Sequence, residues 1–281
     1  MKKLKSIILL AVIGFLAGCS KEYVEPNTFS SVAWYTSIFR QPTYAVGLNK
    51  FISFADLSQM ALSHKWIISE GNYFLSSNAS TKDTILDPFI LTNAGLESED
   101  KTVHVYFKKS GMQTVRLIDT FRDSVAYVGL DTVYAVREGD HWLMDHTFMV
   151  DVYDTLVPQI RILHAGIEIP LAEDTIYVSS GDSLQFVDMT TVGRPDSRSW
   201  SVAGMTSVDS VATFTFNTPG TFTASFISSR TNPLIPAGQK SLKVPNPIKV
   251  MAPASPVRLP LQKESSGTLG VMTTRPAESK K

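Results

Sequence analysis

Beyond residue 50 the chain alternates. Thr213-Phe214-Thr215-Phe216 and Thr221-Phe222-Thr223-Ala224-Ser225-Phe226 put an apolar or small side chain at every second position. A strand sends successive side chains to opposite faces, so this pattern predicts strands with one buried face. Phe51 to Asp56, Thr102 to Phe107, Gln113 to Ile118 and Thr132 to Arg137 are rich in β-branched and aromatic residues with partial alternation. So are Thr147 to Tyr153, Gln159 to Leu163, Asp174 to Val178 and Ser183 to Val187, and all eight predict strands. Ser110-Gly111, Glu138-Gly139-Asp140, Ser180-Gly181-Asp182 and Pro219-Gly220 supply turns between them. No long helical stripe competes; Ala55 to Leu62 predicts a helical turn or two at most. The expected fold class is all-β.

The pattern occurs twice. One copy runs Phe54-Ala55-Asp56, Trp66, Phe107 to Gly111, then Thr114 to Leu117. The other runs Phe186-Val187-Asp188, Trp200, Phe216 to Gly220, then Thr221 to Ala224. The Phe–Trp spacings are 12 and 14 residues, but the Trp–Gly spacings are 45 and 20. The first copy therefore carries an insertion, expected within Asn72 to Asp100. Each Trp reads as a large anchor packed between two sheets. Phe121 to Pro170 holds about four more strand-like runs, which either complete the first sandwich or supply a small β-unit and the first strand of the second.

Phe54-Ala55-Asp56-Leu57-Ser58 and Phe186-Val187-Asp188-Met189-Thr190 resemble the F-x-D-x-S element of the PKD family of immunoglobulin-like sandwiches. Trp66 to Gly71 and Trp200 to Gly204 are degenerate versions of its W-x-F-G-D-G element, and both lack the D-G pair. Gly111 to Val115 and Gly220 to Ala224 approximate its G-x-Y-x-V strand. The resemblance implies tandem PKD-like β-sandwiches, over 46–168 with the insertion and over 169–250. It leaves 251–281 as a flexible tail, because that stretch turns proline-rich and polar.

The start of the chain reads differently. Three lysines within the first five residues precede Ser6 to Leu16, an apolar run too short to cross a bilayer, and then Ala17-Gly18-Cys19. Leu16-Ala17-Gly18-Cys19 resembles the lipobox of bacterial lipoproteins. That resemblance implies a signal peptide over 1–18, cleavage before Cys19, and acylation of Cys19, palmitate included. A tether and first strand over 19–45 follow. No aspartate follows Cys19, so the expected location is the outer membrane. Charged residues behind the cysteine resemble export signals of Bacteroidetes lipoproteins, which implies cell-surface exposure.

Composition narrows the function. Among 281 residues, 26 basic and 26 acidic side chains cancel, which argues against nucleic acid, whose binding needs a basic footprint. The single cysteine, Cys19, excludes a disulfide framework and a multi-thiolate metal site. There is no G-x-S-x-G elbow and no phosphate loop. His141 and His146 flank Trp142 and Asp145 and could hold zinc, but an odd offset on one strand sends them to opposite faces. Asp83, Asp87, Glu97, Glu99 and Asp100 could gather calcium, yet their spacing fits no EF-hand and reads equally as a solvated charge run. No catalytic residues, metal site or cofactor are assigned, and no enzyme activity is expected.

Sugars offer apolar faces to aromatic rings and hydroxyls to amides and carboxylates. Trp34, Tyr35, Tyr73 and Trp142 lie outside the core-like runs and are the candidate ligand-binding residues; each could instead fill a core edge. Lipid anchor and modular sandwiches together are similar to the accessory glycan-binding lipoproteins of Bacteroidetes. The expected function is non-catalytic binding of an extracellular ligand, a polysaccharide first and an envelope protein partner as the alternative.

Overall fold

The computed structural model describes residues 31–253 except Arg40, Leu130 and Glu173. The signal peptide, Cys19 and the tail from residue 254 lie outside the described residues.

Strands run in chain order as β1 (Trp34–Thr36), β2 (Thr43–Gly47), β3 (Lys50–Asp56), β4 (Ser63–Ile68), β5 (Tyr73–Leu75), β6 (Glu97–Ser98), β7 (Thr102–Phe107) and β8 (Gly111–Phe121). Next come β9 (Ala126–Val128), β10 (Thr132–Tyr134), β11 (Val136–Glu138) and β12 (His141–Tyr153). One sheet has the order β1-β3-β7-β5; the facing sheet runs β11-β12-β8-β4-β6. β2 joins the second sheet parallel to β12. Two sheets with the first strand shared between them in this way form an immunoglobulin-like sandwich.

The second sandwich repeats the plan with β13 (Ile160–His164), β14 (Ile167–Ile169), β15 (Ile176–Ser179), β16 (Ser183–Asp188), β17 (Ser197–Val202) and β18 (Met205–Ser207). It is completed by β19 (Val211–Thr215), β20 (Gly220–Phe222), β21 (Ala224–Arg230), β22 (Gly238–Lys243) and β23 (Ile248–Met251). β14-β13-β16-β19 faces β18-β17-β21-β22, and β15 pairs parallel with β23. The chain is thus tandem immunoglobulin-like β-sandwiches.

The alternating positions build the cores. Phe54, Trp66, Leu117 and Phe148 fill the first, with the Trp66 ring 5.8 Å from that of Phe54 and 6.0 Å from that of Phe148. Phe186, Trp200, Phe214 and Phe226 fill the second. Both Trp anchors are completely buried.

The repeated F-x-D-x-S/T element has one geometry in both copies. The Ser58 amide donates to Asp56 Oδ1 at 2.8 Å, and the Thr190 amide to Asp188 Oδ1 at 2.9 Å. The next hydroxyl ties down the first strand: Ser58 bonds Ala33, and Thr190 bonds Gln159, through both backbone groups. The amides of Leu57 and Met189 bond the same two carbonyls. The element closes the turn after one strand and fastens the strand that precedes it.

Some expectations move. Ala55 to Leu62 makes no helical turn. It leaves β3 as an extended loop bridged to Ser31 through Gln59, with Met60 at φ +59°. The division expected at 168/169 falls at the end of the β13–β14 hairpin, because β13 pairs with β16 and buries Ile160 and Ile162 in the second core. Strand pairing instead leaves residues 154–159 between the sandwiches, so Pro158 and not Pro170 marks the passage. β2 straddles the expected edge at residue 45, and β23 carries the fold to Met251, past the expected start of the tail.

That passage is clamped. Arg194 donates to both carboxylate oxygens of Asp151 at 2.9 and 2.8 Å, and its guanidinium lies 3.7 Å from the centre of the Tyr153 ring. Arg230, nearly buried, donates to the carbonyls of Asp154, Gly193 and Pro236. Gly193 has φ +80°, and a Cβ there would stand 2.7 Å from the Thr155 carbonyl oxygen.

Candidate functional site

Two clefts in the first sandwich contain candidate residues, and each sits where the two sheets part. At the β1 edge, Trp34 stands opposite Asp56 in the β1–β3 ladder, at the place Ile160 takes in the second copy. Its ring lies flat against Tyr127 of β9, with centroids 3.6 Å apart, and against His146 of β12 at 4.3 Å. Phe148 meets it edge-on at 5.6 Å. The β9–β10 hairpin brings Tyr127, Asp131 and Val133 over the β1 edge, while the β1–β2 turn brings Gln41 and Pro42. The result is a cleft of about 150 Å³ in which aromatic rings meet an amide, a carboxylate, an imidazole and the Thr147 hydroxyl.

At the opposite edge, Tyr73 lines a larger cleft of about 550 Å³ with Glu70, Ile90, Leu91, Thr92 and Leu96. Asn72 fixes this corner from the buried side. Its amide donates to Gln113 Oε1 and the Ser69 carbonyl, and its Oδ1 accepts the Lys108 amide proton. Ile90, Leu91 and Leu96 supply its aliphatic wall, and Glu70, Tyr73 and Thr92 its polar groups.

The four candidate residues are therefore not brought together. Trp34 and Tyr73 line different clefts. Tyr35 points to solvent from the other face of β1, at 59% exposure, and Trp142 packs half-buried on the small core of Phe121, Met144 and Val125. Sequence reasoning missed Gln41, Tyr127, Asp131 and His146 as parts of the Trp34 cleft. Only the alternation around Tyr127 could have flagged a strand there; which strand edge it covers is a matter of tertiary pairing.

Four of the five acids of the insertion, all but Glu99, are engaged separately. Asp87 accepts from Tyr106 and from Lys108, whose ammonium holds its carboxyl below the usual range. Glu97 pairs with Lys65 at 2.8 Å, Asp83 accepts the Ser80 amide, and Asp100 bonds Ser98. His141 turns to Asp140, while His146 lies under Trp34. Among the described residues no group of three such side chains converges as a metal site.

No family model matches the chain, and no curated protein matches it. Among solved structures it is similar to the N-terminal four Ig domains of Dscam1 isoform 6.9, at 12% identity and a TM-score of 0.35, covering 80% of this chain and 47% of that one. It is also similar to the C-terminal 282-residue fragment of intimin, solved with the intimin-binding domain of the translocated intimin receptor. There the identity is 13%, the TM-score 0.35, and the coverage 77% and 65%. A third is the amphioxus IgVJ-C2 molecule, at 12% identity and TM-score 0.31, covering 70% and 97%. The chain spans about half the length of the Dscam1 fragment it matches.

Proposed function

We propose that the protein is a non-catalytic envelope lipoprotein that binds a glycan through the Trp34 cleft. The observation that supports this reading is the chemistry of that cleft. Aromatic rings, an amide, a carboxylate and an imidazole lie around a volume of about 150 Å³, suited to one sugar ring rather than a long chain. Lipidation at Cys19 would anchor it to the outer membrane, facing outward, with the sandwiches as PKD-like modules beyond the tether. The anchor is tested by Cys19→Ser, which should move the protein from the membrane fraction to the soluble fraction. Retention in the membrane fraction would refute the acyl anchor.

Affinity gel electrophoresis on a polysaccharide panel tests the ligand, using the chain from Ser20 onward. One glycan class should retard the wild type and the Tyr73→Ala variant, but not Trp34→Ala. Retardation of Trp34→Ala, or of nothing at all, would count against the glycan reading.

A protein partner is the second reading. Val128, Tyr134 and Val136 stand 78, 73 and 68% exposed on and beside the β9–β10 hairpin. The outer edge of β22 pairs with no described strand. Exposed apolar side chains and bare edges suit protein docking and strand addition.

A further inference from the structure

The two sandwiches differ in one interior layer. In the second, Asp188 at the end of β16 receives Arg198 Nε at 2.7 Å. Arg198 lies two residues before Trp200, and across the β17–β21 ladder it faces Ser228. The corresponding places in the first sandwich hold different chemistry. His64, two residues before Trp66, stands where Arg198 stands, and Asp119 faces it across the β4–β8 ladder where Ser228 would be. The layer has lost its guanidinium and gained a second carboxyl. Asp56, the counterpart of Asp188, takes Lys101 as its cation instead.

Asp119 has no solvent exposure. Its Oδ2 accepts from Ser58 Oγ at 3.0 Å. Its Oδ1 has no partner among the described residues, nor has the buried His64 Nε2. The groups facing it are Asp56 of β3 with its Lys101 partner, His64 of β4, Ser58, and the apolar Met144 opposite on β12. Burial, and then the nearby Asp56 carboxylate, push the Asp119 carboxyl up to about 7.

We propose that Asp119, in its layer with Asp56 and His64, is a proton-binding site that sets how Ser58 holds β1 and therefore Trp34. Ser58 Oγ has a single hydrogen and three neighbours: Asp119 Oδ2, the Ala33 carbonyl oxygen at 3.4 Å, and the Ala33 amide, which donates to it at 3.4 Å. With Asp119 ionised, Ser58 gives its hydrogen to the carboxylate. When Asp119 takes a proton from water, its own O–H donates to Ser58 Oγ, and the serine hydrogen turns to the Ala33 carbonyl. One proton bound thus adds a hydrogen bond to the residue directly before Trp34. Regulation of glycan binding by this site rests on the function proposed above; the proton site and its effect on Trp34 do not.

The test needs no ligand. Carbon-13 NMR of the side-chain carboxyls in the full chain should show one carboxyl titrating near neutrality, absent in Asp119→Ser, which copies Ser228. The Trp34 indole resonance, assigned with Trp34→Phe, should show a step at the same midpoint in the wild type and none at that midpoint in Asp119→Ser, His146 being stacked on the ring in both. His64→Arg, which copies Arg198, should lower the midpoint by about one pH unit or more, a tenfold weaker hold on the proton. An Asp119 midpoint at the ordinary carboxylate value overturns the proton site. A Trp34 step that keeps the carboxyl's midpoint in Asp119→Ser, or is absent in the wild type, overturns the coupling. Should Asp119→Ser fail to fold, the wild-type carboxyl titration and Asp119→Asn decide the same points.

Discussion

Trp66 and Trp200 occupy the same place in two copies of one fold, yet only one is fully satisfied. The Trp200 indole N–H donates to the Asp209 carbonyl at 2.9 Å. The Trp66 N–H is buried without a partner among the described residues, because the segment that follows β4 is the long insertion and not a short hairpin. A buried orphan donor costs free energy that a satisfied one does not. Replacing each by Phe removes similar apolar surface, so the difference isolates the hydrogen bond. Trp200→Phe should destabilise by about 1–2 kcal/mol more than Trp66→Phe in urea unfolding. Equal losses would show that the Asp209 bond contributes nothing. Both tryptophans were legible as core from their spacing after Phe54 and Phe186. Asp119 was not, since its neighbours come from three strands and a loop that no local pattern connects.

At the scale of elements, alternation located most strands, including the interior faces of β8 and β16. It located their partners poorly. The run from Thr221 to Phe226 reads as one strand, but it splits at Thr223, with β20 paired to β23 and β21 to β17. The insertion expected within Asn72 to Asp100 corresponds to the stretch between β4 and β7. Its content, the short edge strands β5 and β6, a 3₁₀ turn over Asp87–Phe89 and a satellite core of Leu75 and Leu86 against Tyr106 of β7, was not visible, because those apolar residues lack any period. The candidate cleft failed to show for the same reason. Trp34 stands out in the sequence, whereas the β9–β10 hairpin that completes its walls reads only as two more strand-like runs.

Across the whole molecule, the clamp between the sandwiches decides whether they behave as one body or two. Arg194, Arg230, Asp151 and Tyr153 join residues on both sides of the passage, and Gly193 lets the backbones touch. Gly193→Ala puts a methyl group into the Thr155 carbonyl at a φ that side chains avoid. It should lower stability by about 1–3 kcal/mol and change the relative setting of the sandwiches, read by small-angle scattering. Gly181→Ala is the control. There φ is +99° with open space around the added methyl, so it carries backbone strain alone and should leave the scattering profile intact. If both variants scatter alike, the close contact at Gly193 does not set the geometry.

Each sandwich also pairs an early strand parallel to its last one: β2 against β12 over five register pairs, and β15 against β23 over four. A pull on the two ends of such a ladder drags its strands past each other along their own length. The rungs then share the load and yield as a group, whereas a pull across a hairpin would open them in turn. Force entering a sandwich at its early strand and leaving at its last one would therefore meet the geometry in which hydrogen-bonded strands resist longest.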